Sequence, residues 1–307
     1  MKENIRKKFA SILEDEQIFI DEPMNKHTTF RLGGPADFYL CPVHVKQVEQ
    51  ILHICKEEKL PYFILGNGSN LLVSDEGFRG VVIQIYKNMN QIQVEGEKVS
   101  AQAGALLSAI AKKAAQAQLT GMEFASGIPG TLGGAAVMNA GAYGGEMKDI
   151  LESVTVLTGE GEILVLESSQ LHMGYRSSVI KENGYIVMEA TLALQKGEKE
   201  LIQEKMDDLK NRRISKQPLE FPSAGSTFKR PEGYFAGKLI EDTGLRGYQV
   251  GGAKISDKHC GFVINTGDAT ASEVVQLIRD VQDKVYEKFQ VRLEPEVRFL
   301  GEFSNIQ

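Results

Sequence analysis

Residues 124–145 read FASGIPGTLGGAAVMNAGAYGG and carry no charged side chain. The run is long enough for a membrane span, but it has little of the Leu, Ile and Val bulk that a span needs. Its seven glycines and Pro129 also interrupt a regular helix. We therefore interpret the run as backbone that lies close against another group, which is either a ligand or a second packed element.

A shorter glycine-rich segment, GNGSN at 66–70, follows residues 62–65, which are predicted as a buried strand. Two glycines among small amide and hydroxyl residues can turn backbone N–H groups toward a phosphate. The alternative is a tight turn around Asn67-Gly68. The spacing fits neither a Rossmann fingerprint nor a Walker loop. Two such segments favour a large nucleotide cofactor, with the pyrophosphate at one segment and the ring system or ribityl chain at the other.

Composition limits the remaining classes of function. With 307 residues, 42% of them hydrophobic, the chain is long enough for two or three folded lobes. Its net charge of -6 gives no reason to expect nucleic acid or an anionic membrane as partner. Three separated cysteines predict neither a disulfide framework nor a thiolate metal cluster, and they fit a reducing cytoplasm. The five histidines show no ligand spacing, so no metal is expected.

The order of the predicted elements favours an α+β fold. Apolar residues 5, 9, 12 and 13 predict an N-terminal amphipathic helix rather than a signal peptide. Further helices are predicted over 44–58, 106–116 and 198–213, and after the capping box of Thr270 and Glu273. Strands are predicted at 62–65, 71–73, 81–86, 154–157 and 163–166, the last two joined by the hairpin turn TGEG. Changes of pattern divide the chain into lobes 1–90, 91–198 and 199–307.

Three short polar segments are further candidates for chemistry: GYRSS at 174–178, AGSTFK at 224–229 and LEPEVR at 293–298. By itself, each has an ordinary structural interpretation as a surface cation, a turn serine or a solvated glutamate. His259 and Cys260 are interpreted as packing residues rather than a catalytic pair, because adjacent residues on a strand point to opposite faces.

Taken in order, these segments resemble one protein family. Together with NKHTTFRLGGPADFYL at 25–40, LGNGSNLL at 65–72 and SGIPGTLGGAAVMNAGAYGGEM at 126–147, they are similar to the FAD-dependent UDP-N-acetylenolpyruvoylglucosamine reductases of bacterial peptidoglycan synthesis. The resemblance covers nearly the whole chain. It implies a two-lobed FAD-binding region of the vanillyl-alcohol-oxidase-like type, followed by a C-terminal α+β lobe for the substrate. The sequence has no clear equivalent of the tyrosine loop of one subgroup, so it resembles the shorter subgroup.

The resemblance also implies site residues. Arg176, Ser226 and Glu296 match the catalytic positions of the family. The substrate-binding residues are expected to be Tyr175, Lys216 and Arg230, with Lys216 at the diphosphate. The expected FAD-binding residues are Asn67, Gly68, Ser69, Asn70, Gly127, Ile128, Gly130, Gly134, Ala135 and Gly141. Residues 66–70 contain no histidine, so FAD is expected to bind without a covalent bond.

In the implied reaction, NADPH reduces FAD, and UDP-N-acetylglucosamine enolpyruvate then receives the hydride and becomes UDP-N-acetylmuramate. Arg176 is expected to stabilise the enolate, and Ser226 to supply the proton. Glu296 either assists in a protonated form or, as a carboxylate, orients a donor. The alternatives are a binding protein that has lost turnover and a flavin oxidase that acts on an alcohol.

Overall fold

The structure is a computed structural model that describes residues 2–303. The α-helices in this range are α1 (Lys2–Phe9), α2 (Val45–Glu57), α3 (Leu107–Gln116), α4 (Leu132–Met138), α5 (Val179–Glu182), α6 (Lys199–Lys216), α7 (Ala236–Asp242) and α8 (Ala271–Phe289). The strands in this range are β1 (Ile18–Pro23), β2 (Pro35–Leu40), β3 (Tyr62–Leu65), β4 (Leu71–Val73), β5 (Phe78–Gln84), β6 (Ile92–Glu95), β7 (Lys98–Gln102), β8 (Leu119–Thr120), β9 (Gly141–Ala142), β10 (Gly145–Glu146), β11 (Leu151–Leu157), β12 (Ile163–Glu167), β13 (Ile186–Ala193), β14 (Gln195–Lys196), β15 (Ser223–Ser226), β16 (Gln249–Val250), β17 (Ala253–Ile255), β18 (Phe262–Asn265) and β19 (Arg298–Leu300).

Backbone packing divides the chain into two compact units. Unit 1 contains the chain up to Phe19, together with Phe38–Asn67 and Gly80–Arg213. Unit 2 contains Ile20–Asp37, Gly68–Arg79 and the chain from Ile214 onward. The three lobes at 1–90, 91–198 and 199–307 stay a prediction.

Unit 1 is built on an antiparallel sheet with the strand order β12-β11-β13-β7-β6. Leu157 pairs with Ile163 across the predicted hairpin, which is thereby confirmed. Helix α4 packs on β13, and the core also takes in the buried stripe of α2. The His44 ring caps α2 by accepting a hydrogen bond from the Gln47 N–H at 3.3 Å, so the predicted helix begins where expected.

Unit 2 contains an antiparallel sheet with the order β15-β18-β17-β16, against which α8 packs through β16 and β17. The predicted capping box is confirmed: the Thr270 hydroxyl accepts from the Glu273 N–H at 3.1 Å, and the Glu273 carboxylate accepts from the Thr270 N–H at 3.0 Å. Five apolar residues of α8 lie fully inside the core: Ala271, Val274, Leu277, Val281 and Val285. Strand β19 pairs in parallel with β4, with Arg298 opposite Leu71.

A further sheet has the order β1-β2-β5-β3, in which β3 and β5 pair in parallel. The mixture of parallel and antiparallel pairing with helices confirms the α+β class. Within residues 2–303, no helix combines the length and the apolar character that crossing a bilayer requires.

Several predicted elements differ from the structure: α6 continues to Lys216 instead of ending at 213, and β11 begins at Leu151 instead of 154. The N-terminal helix ends at Phe9, although Leu13 beyond it is still buried. Strand β5 covers Phe78–Gln84 instead of 81–86. The glycine-rich run contains the short helix α4, because the Thr131 side chain caps a stretch of Leu, Ala, Val and Met around only two glycines.

Asp75 holds the start of α8 from the loop between β4 and β5. One of its carboxylate oxygens, Oδ1, accepts from the Ala271 N–H at 2.7 Å. The other, Oδ2, accepts from the Ser272 N–H at 2.9 Å and from the Ser272 hydroxyl at 2.6 Å. A negative charge at a helix N-terminus also interacts favourably with the helix dipole.

We expect Asp75→Asn to lower the free energy of unfolding by about 1 kcal/mol, because an amide cannot replace both acceptors and carries no charge. Glu76→Gln is the matched control, since Glu76 is exposed and its described hydrogen bonds use its backbone. Urea unfolding of both variants measures the effect. Equal stability of the two variants would contradict the capping role of Asp75.

Candidate functional site

The two glycine-rich segments contact each other within unit 1. A β-carbon at Gly66 would lie 2.5 Å from Oγ1 of Thr131, so only glycine fits at this approach. Thr131 is 3% exposed, and its hydroxyl accepts from the Gly134 N–H at 3.5 Å. The Asn67 side chain donates to the Pro129 carbonyl oxygen at 2.8 Å. The structure therefore brings the start of GNGSN together with the loop before α4.

The rest of the GNGSN segment lies in unit 2. Gly68 has φ +62, and a β-carbon there would lie 2.1 Å from the His27 carbonyl oxygen. Ser69 follows it and is half-buried. The Asn70 side chain donates to the Glu296 carbonyl oxygen at 3.2 Å. Asn70 thus uses its amide to connect this segment to the predicted catalytic glutamate.

The glycines of the longer run serve two different purposes. Gly141 belongs to the β9–β10 hairpin, where a β-carbon would lie 2.9 Å from that of Glu146, so close packing accounts for it. Gly134 is exposed, and the nearest atom to its β-carbon position is Oγ1 of Thr131 at 3.7 Å. Its backbone is therefore open to a ligand. Close packing thus accounts for Gly141, whereas a ligand at Gly134 stays a prediction.

The other predicted FAD residues of the run differ in exposure. Gly127 is exposed, and Ile128 and Gly130 are half-buried. The Gly130 carbonyl accepts from the Leu107 N–H at 3.0 Å, which ties the loop to α3. Ala135 is 3% exposed and packs in the core of unit 1. The loop around Gly127 and Gly130 is thus the accessible part, and an FAD contact at Ala135 stays a prediction.

Arg213 is a candidate that sequence reasoning missed. Its Cδ atom lies 3.2 Å from the β-carbon position of Gly127, so the side chain lies along the exposed loop. Burial lowers the pKa of its guanidinium, and the nearby Tyr143 raises the pKa and so offsets part of this shift. Within residues 2–303 it forms no ion pair, and a partly desolvated guanidinium can bind an anionic group of a ligand.

A signal for Arg213 was present in the sequence. The apolar residues Ile202, Met206 and Leu209 form one stripe of α6, and position 213 continues that stripe at helical spacing. An arginine in place of an apolar residue on the packed side of a helix indicates a buried charge, and a buried charge requires a specific partner.

Arg176 lies in a two-residue turn of unit 1. The Gly174 N–H donates to the Ser177 carbonyl at 3.0 Å, and the Ser177 N–H donates to the Gly174 carbonyl at 3.3 Å. Arg176 has φ +55, which residues with a β-carbon rarely adopt. Its guanidinium carbon lies 5.1 Å from the ring centre of Tyr175, which is 55% exposed. The structure therefore brings the predicted catalytic arginine together with a predicted substrate-binding residue.

Ser226 and Glu296 lie on neighbouring segments of unit 2. Ser226 is exposed and ends β15 opposite Phe262 of β18. The carbonyl of the next residue, Thr227, accepts from the Glu296 N–H at 2.8 Å. This pairing places the predicted proton donor one residue away from the backbone contact that holds Glu296.

Lys216 and Arg230 are both exposed residues of unit 2. Lys216 is the last residue of α6. The guanidinium carbon of Arg230 lies 4.0 Å from the ring centre of Phe235, and its Nε donates to the Tyr234 carbonyl at 3.3 Å. Cation–π stacking of this kind orients an arginine on the surface. The assignment of both residues to the substrate stays a prediction.

Family models match two parts of the sequence. The FAD binding domain matches residues 36–167, and the C-terminal domain of UDP-N-acetylenolpyruvoylglucosamine reductase matches residues 217–300. Together they include most of the predicted site residues, among them Asn67–Asn70, Ser226 and Glu296.

Relatives resemble the chain over nearly its full length. The UDP-N-acetylenolpyruvoylglucosamine reductase of Clostridioides difficile (strain 630) is 55% identical over 292 residues, which are 95% of this chain and 96% of that protein. The protein of the same name from Lachnoclostridium phytofermentans is 54% identical over 99% of this chain and 100% of its own. The crystal structure of the UDP-N-acetylenolpyruvylglucosamine reductase from Thermus caldophilus has a TM-score of 0.79 and 36% identity, covering 92% of this chain and 98% of that chain.

We expect Gly68→Ala to lower the free energy of unfolding by about 3 kcal/mol, because the overlap with His27 adds to the strain of a positive φ. Gly96 has a similar φ of +60 but has nothing within 4 Å of its β-carbon position. Gly96→Ala should therefore cost only about 1–2 kcal/mol. Thermal and urea unfolding of the two variants measure the difference. Equal losses would mean that the approach to His27 does not constrain Gly68.

Proposed function

The chain belongs to the UDP-N-acetylenolpyruvoylglucosamine reductase family, and we propose from this premise how its own residues carry out the reaction. The resemblance and the FAD-binding region predicted from the sequence are confirmed. The enzyme is an FAD-dependent oxidoreductase that reduces UDP-N-acetylglucosamine enolpyruvate to UDP-N-acetylmuramate for peptidoglycan synthesis. We infer that NADPH is the reductant, that the reaction takes place in the cytoplasm, and that it serves cell shape and cell division.

Part of the glycine-rich backbone is accessible to a ligand such as FAD. Gly134 leaves its backbone open, and Gly68 lies too close to His27 to carry a side chain. We propose that the backbone of Asn67–Asn70 binds the pyrophosphate, that 127–135 lines the rest of the cofactor, and that it is held without a covalent bond. When bound, FAD supplies the hydride that the enolpyruvyl double bond accepts.

We assign to Arg176 the stabilisation of the negative charge that this reduction creates on the substrate. Hydride addition to the terminal carbon leaves negative charge on the carbon beside the carboxylate, so the product of this step is an enolate. A guanidinium offers planar and permanently charged donors to carboxylate oxygens. We therefore propose that Arg176 binds the carboxylate and stabilises the enolate, with Tyr175 beside it at the substrate.

We assign to Ser226 the donation of the proton that completes the reaction. A serine hydroxyl is a weak acid, but the carbon of an enolate is basic enough to accept a proton from a positioned hydroxyl. Two observations support this role. Ser226 is exposed at the end of β15, and the carbonyl of the next residue, Thr227, accepts a hydrogen bond from the Glu296 N–H.

Glu296 lies near Ser226 in unit 2, because its N–H donates to the carbonyl of the neighbouring Thr227. Its backbone is held on both sides, since Asn70 donates to its carbonyl and its N–H donates to Thr227. A protonated carboxyl group would assist the enolate directly, whereas a carboxylate would orient a donor. We propose that Lys216, in the same unit, binds the anionic diphosphate of the substrate, and that Arg230 contacts the substrate as well.

We expect Ser226→Ala to slow substrate reduction by roughly 10² to 10⁴, which is the usual effect of removing a positioned acid. Reduction of the flavin by NADPH should remain nearly unchanged. Anaerobic stopped-flow absorbance separates the two steps: NADPH is added first, and the enolpyruvyl sugar nucleotide is then added to the reduced enzyme.

Ser223→Ala is the matched control on the same strand, because the described hydrogen bonds of Ser223 use its backbone. It should leave both steps intact. Loss of both steps in Ser226→Ala would assign Ser226 a structural role. Oxygen consumption without the enolpyruvyl substrate would favour the alcohol oxidase instead.

We expect Asn67→Asp to weaken FAD retention by about tenfold or more, since about 1.4 kcal/mol of lost binding energy corresponds to a factor of ten. The carboxylate would repel both the pyrophosphate and the Pro129 carbonyl to which the amide now donates. Asn88→Asp is the control, because it loses a similar bond to the Cys41 carbonyl outside the glycine-rich segments. Unchanged flavin content in purified Asn67→Asp would refute this placement of the pyrophosphate.

A further inference from the structure

Asn139 is a buried amide at the end of α4 whose polar atoms are all engaged. It is 1% exposed and has φ +42. Its Nδ2 donates to the Gly174 carbonyl oxygen at 3.0 Å and to the Glu146 carboxylate at 2.6 Å. Its Oδ1 accepts from the Lys148 N–H at 2.9 Å. The side chain thus makes three hydrogen bonds within unit 1.

The Gly174 carbonyl that Asn139 binds is also the oxygen that closes the two-residue turn, through the Ser177 N–H. Just after the turn, the buried hydroxyl of Ser178 donates to the Val137 carbonyl at 2.7 Å. The end of α4 therefore holds the chain on both sides of the turn.

Arg176 needs such anchors because its backbone conformation is unfavourable. A left-handed φ at a residue with a β-carbon costs about 1–2 kcal/mol. It persists only where the surrounding structure enforces it. Lys181 also donates to the Arg176 carbonyl, at 3.3 Å, but this contact is exposed and contributes little. A relaxed turn would change φ at Arg176, and the direction of its guanidinium would change with it.

We propose that Asn139 is a positioning residue, which fixes the turn through Gly174 and thereby directs the guanidinium of Arg176. This inference rests on the catalytic role of Arg176 proposed above. Capping α4 does not require the amide, because glycine adopts a positive φ at a helix end more easily than asparagine does. Helix capping therefore does not explain the three hydrogen bonds of the Asn139 side chain.

Asn139→Gly tests the proposal in the holoenzyme, because it keeps the left-handed backbone and removes the amide. Gln118→Gly is the matched control in unit 1: Gln118 is exposed, has φ +58 and follows α3. We expect Asn139→Gly to slow reoxidation of the reduced flavin by the enolpyruvyl substrate about 10- to 100-fold, as misplacing a reacting group does. Flavin reduction by NADPH should change less than about twofold, and Gln118→Gly should resemble the unsubstituted enzyme in both steps.

A double-mutant cycle with Arg176→Ala separates positioning from general damage. If Asn139 acts through Arg176, adding Asn139→Gly to Arg176→Ala should slow reoxidation no further. Additive losses, equal losses in both half-reactions, or an unchanged rate in Asn139→Gly would each overturn the proposal. An unchanged rate in Arg176→Ala would instead overturn the proposed role of the arginine, and this inference with it.

Asn139→Asp provides a second variant in case Asn139→Gly does not fold. It keeps the shape of the side chain and the acceptor for Lys148, but it loses the donor to Gly174 and to the Glu146 carboxylate. The same kinetic pattern in Asn139→Asp would support the proposal. Loss of flavin and of cooperative unfolding in both variants would assign Asn139 to stability alone and overturn it.

Discussion

The close approach of Gly66 to Thr131 is the constraint on which the cofactor part of unit 1 depends. It leaves no room for a β-carbon, and it brings the end of β3 to the loop before α4. Asn67 then bonds to Pro129, so the two glycine-rich segments become neighbours although they are far apart in the sequence. Thr131 also caps α4, and the end of α4 in turn anchors the turn of Arg176. The close packing at Gly66 and the turn of Arg176 are therefore connected through the short helix α4, which Thr131 caps at one end and Asn139 ends at the other.

The sequence predicted the elements whose signals are local. The capping box of Thr270 and Glu273 and the TGEG turn each specify a structure within a few residues, and both were confirmed. The helix inside the glycine-rich run was missed, because its composition opposes a helix and a cap together with packing on β13 stabilises it. Family motifs also predicted FAD and the reaction, since ordered and separated motifs are specific in a way that composition is not.

Much of the geometry of the site could not be predicted from the sequence. The left-handed backbone of Arg176 follows from contacts with α4, and nothing in GYRSS requires it. The bond between Asn70 and Glu296 joins residues 226 positions apart. Arg213 was visible only as an interruption of an apolar stripe. In each case the missing information was a tertiary contact, which local patterns do not encode.

The pairing of β4 with β19 joins two segments of unit 2 that are translated far apart in time. Unit 1 is complete once Arg213 has been translated, whereas unit 2 waits for its last strand. At about 5–20 residues per second, roughly 10 to 45 s pass between translation of Asn70 and that of Glu296. During this interval the early segments of unit 2 emerge from the ribosome without their partners. The segments Ile20–Asp37 and Gly68–Arg79 can therefore reach their native contacts with the C-terminal part of unit 2 only after most of the chain has been synthesised.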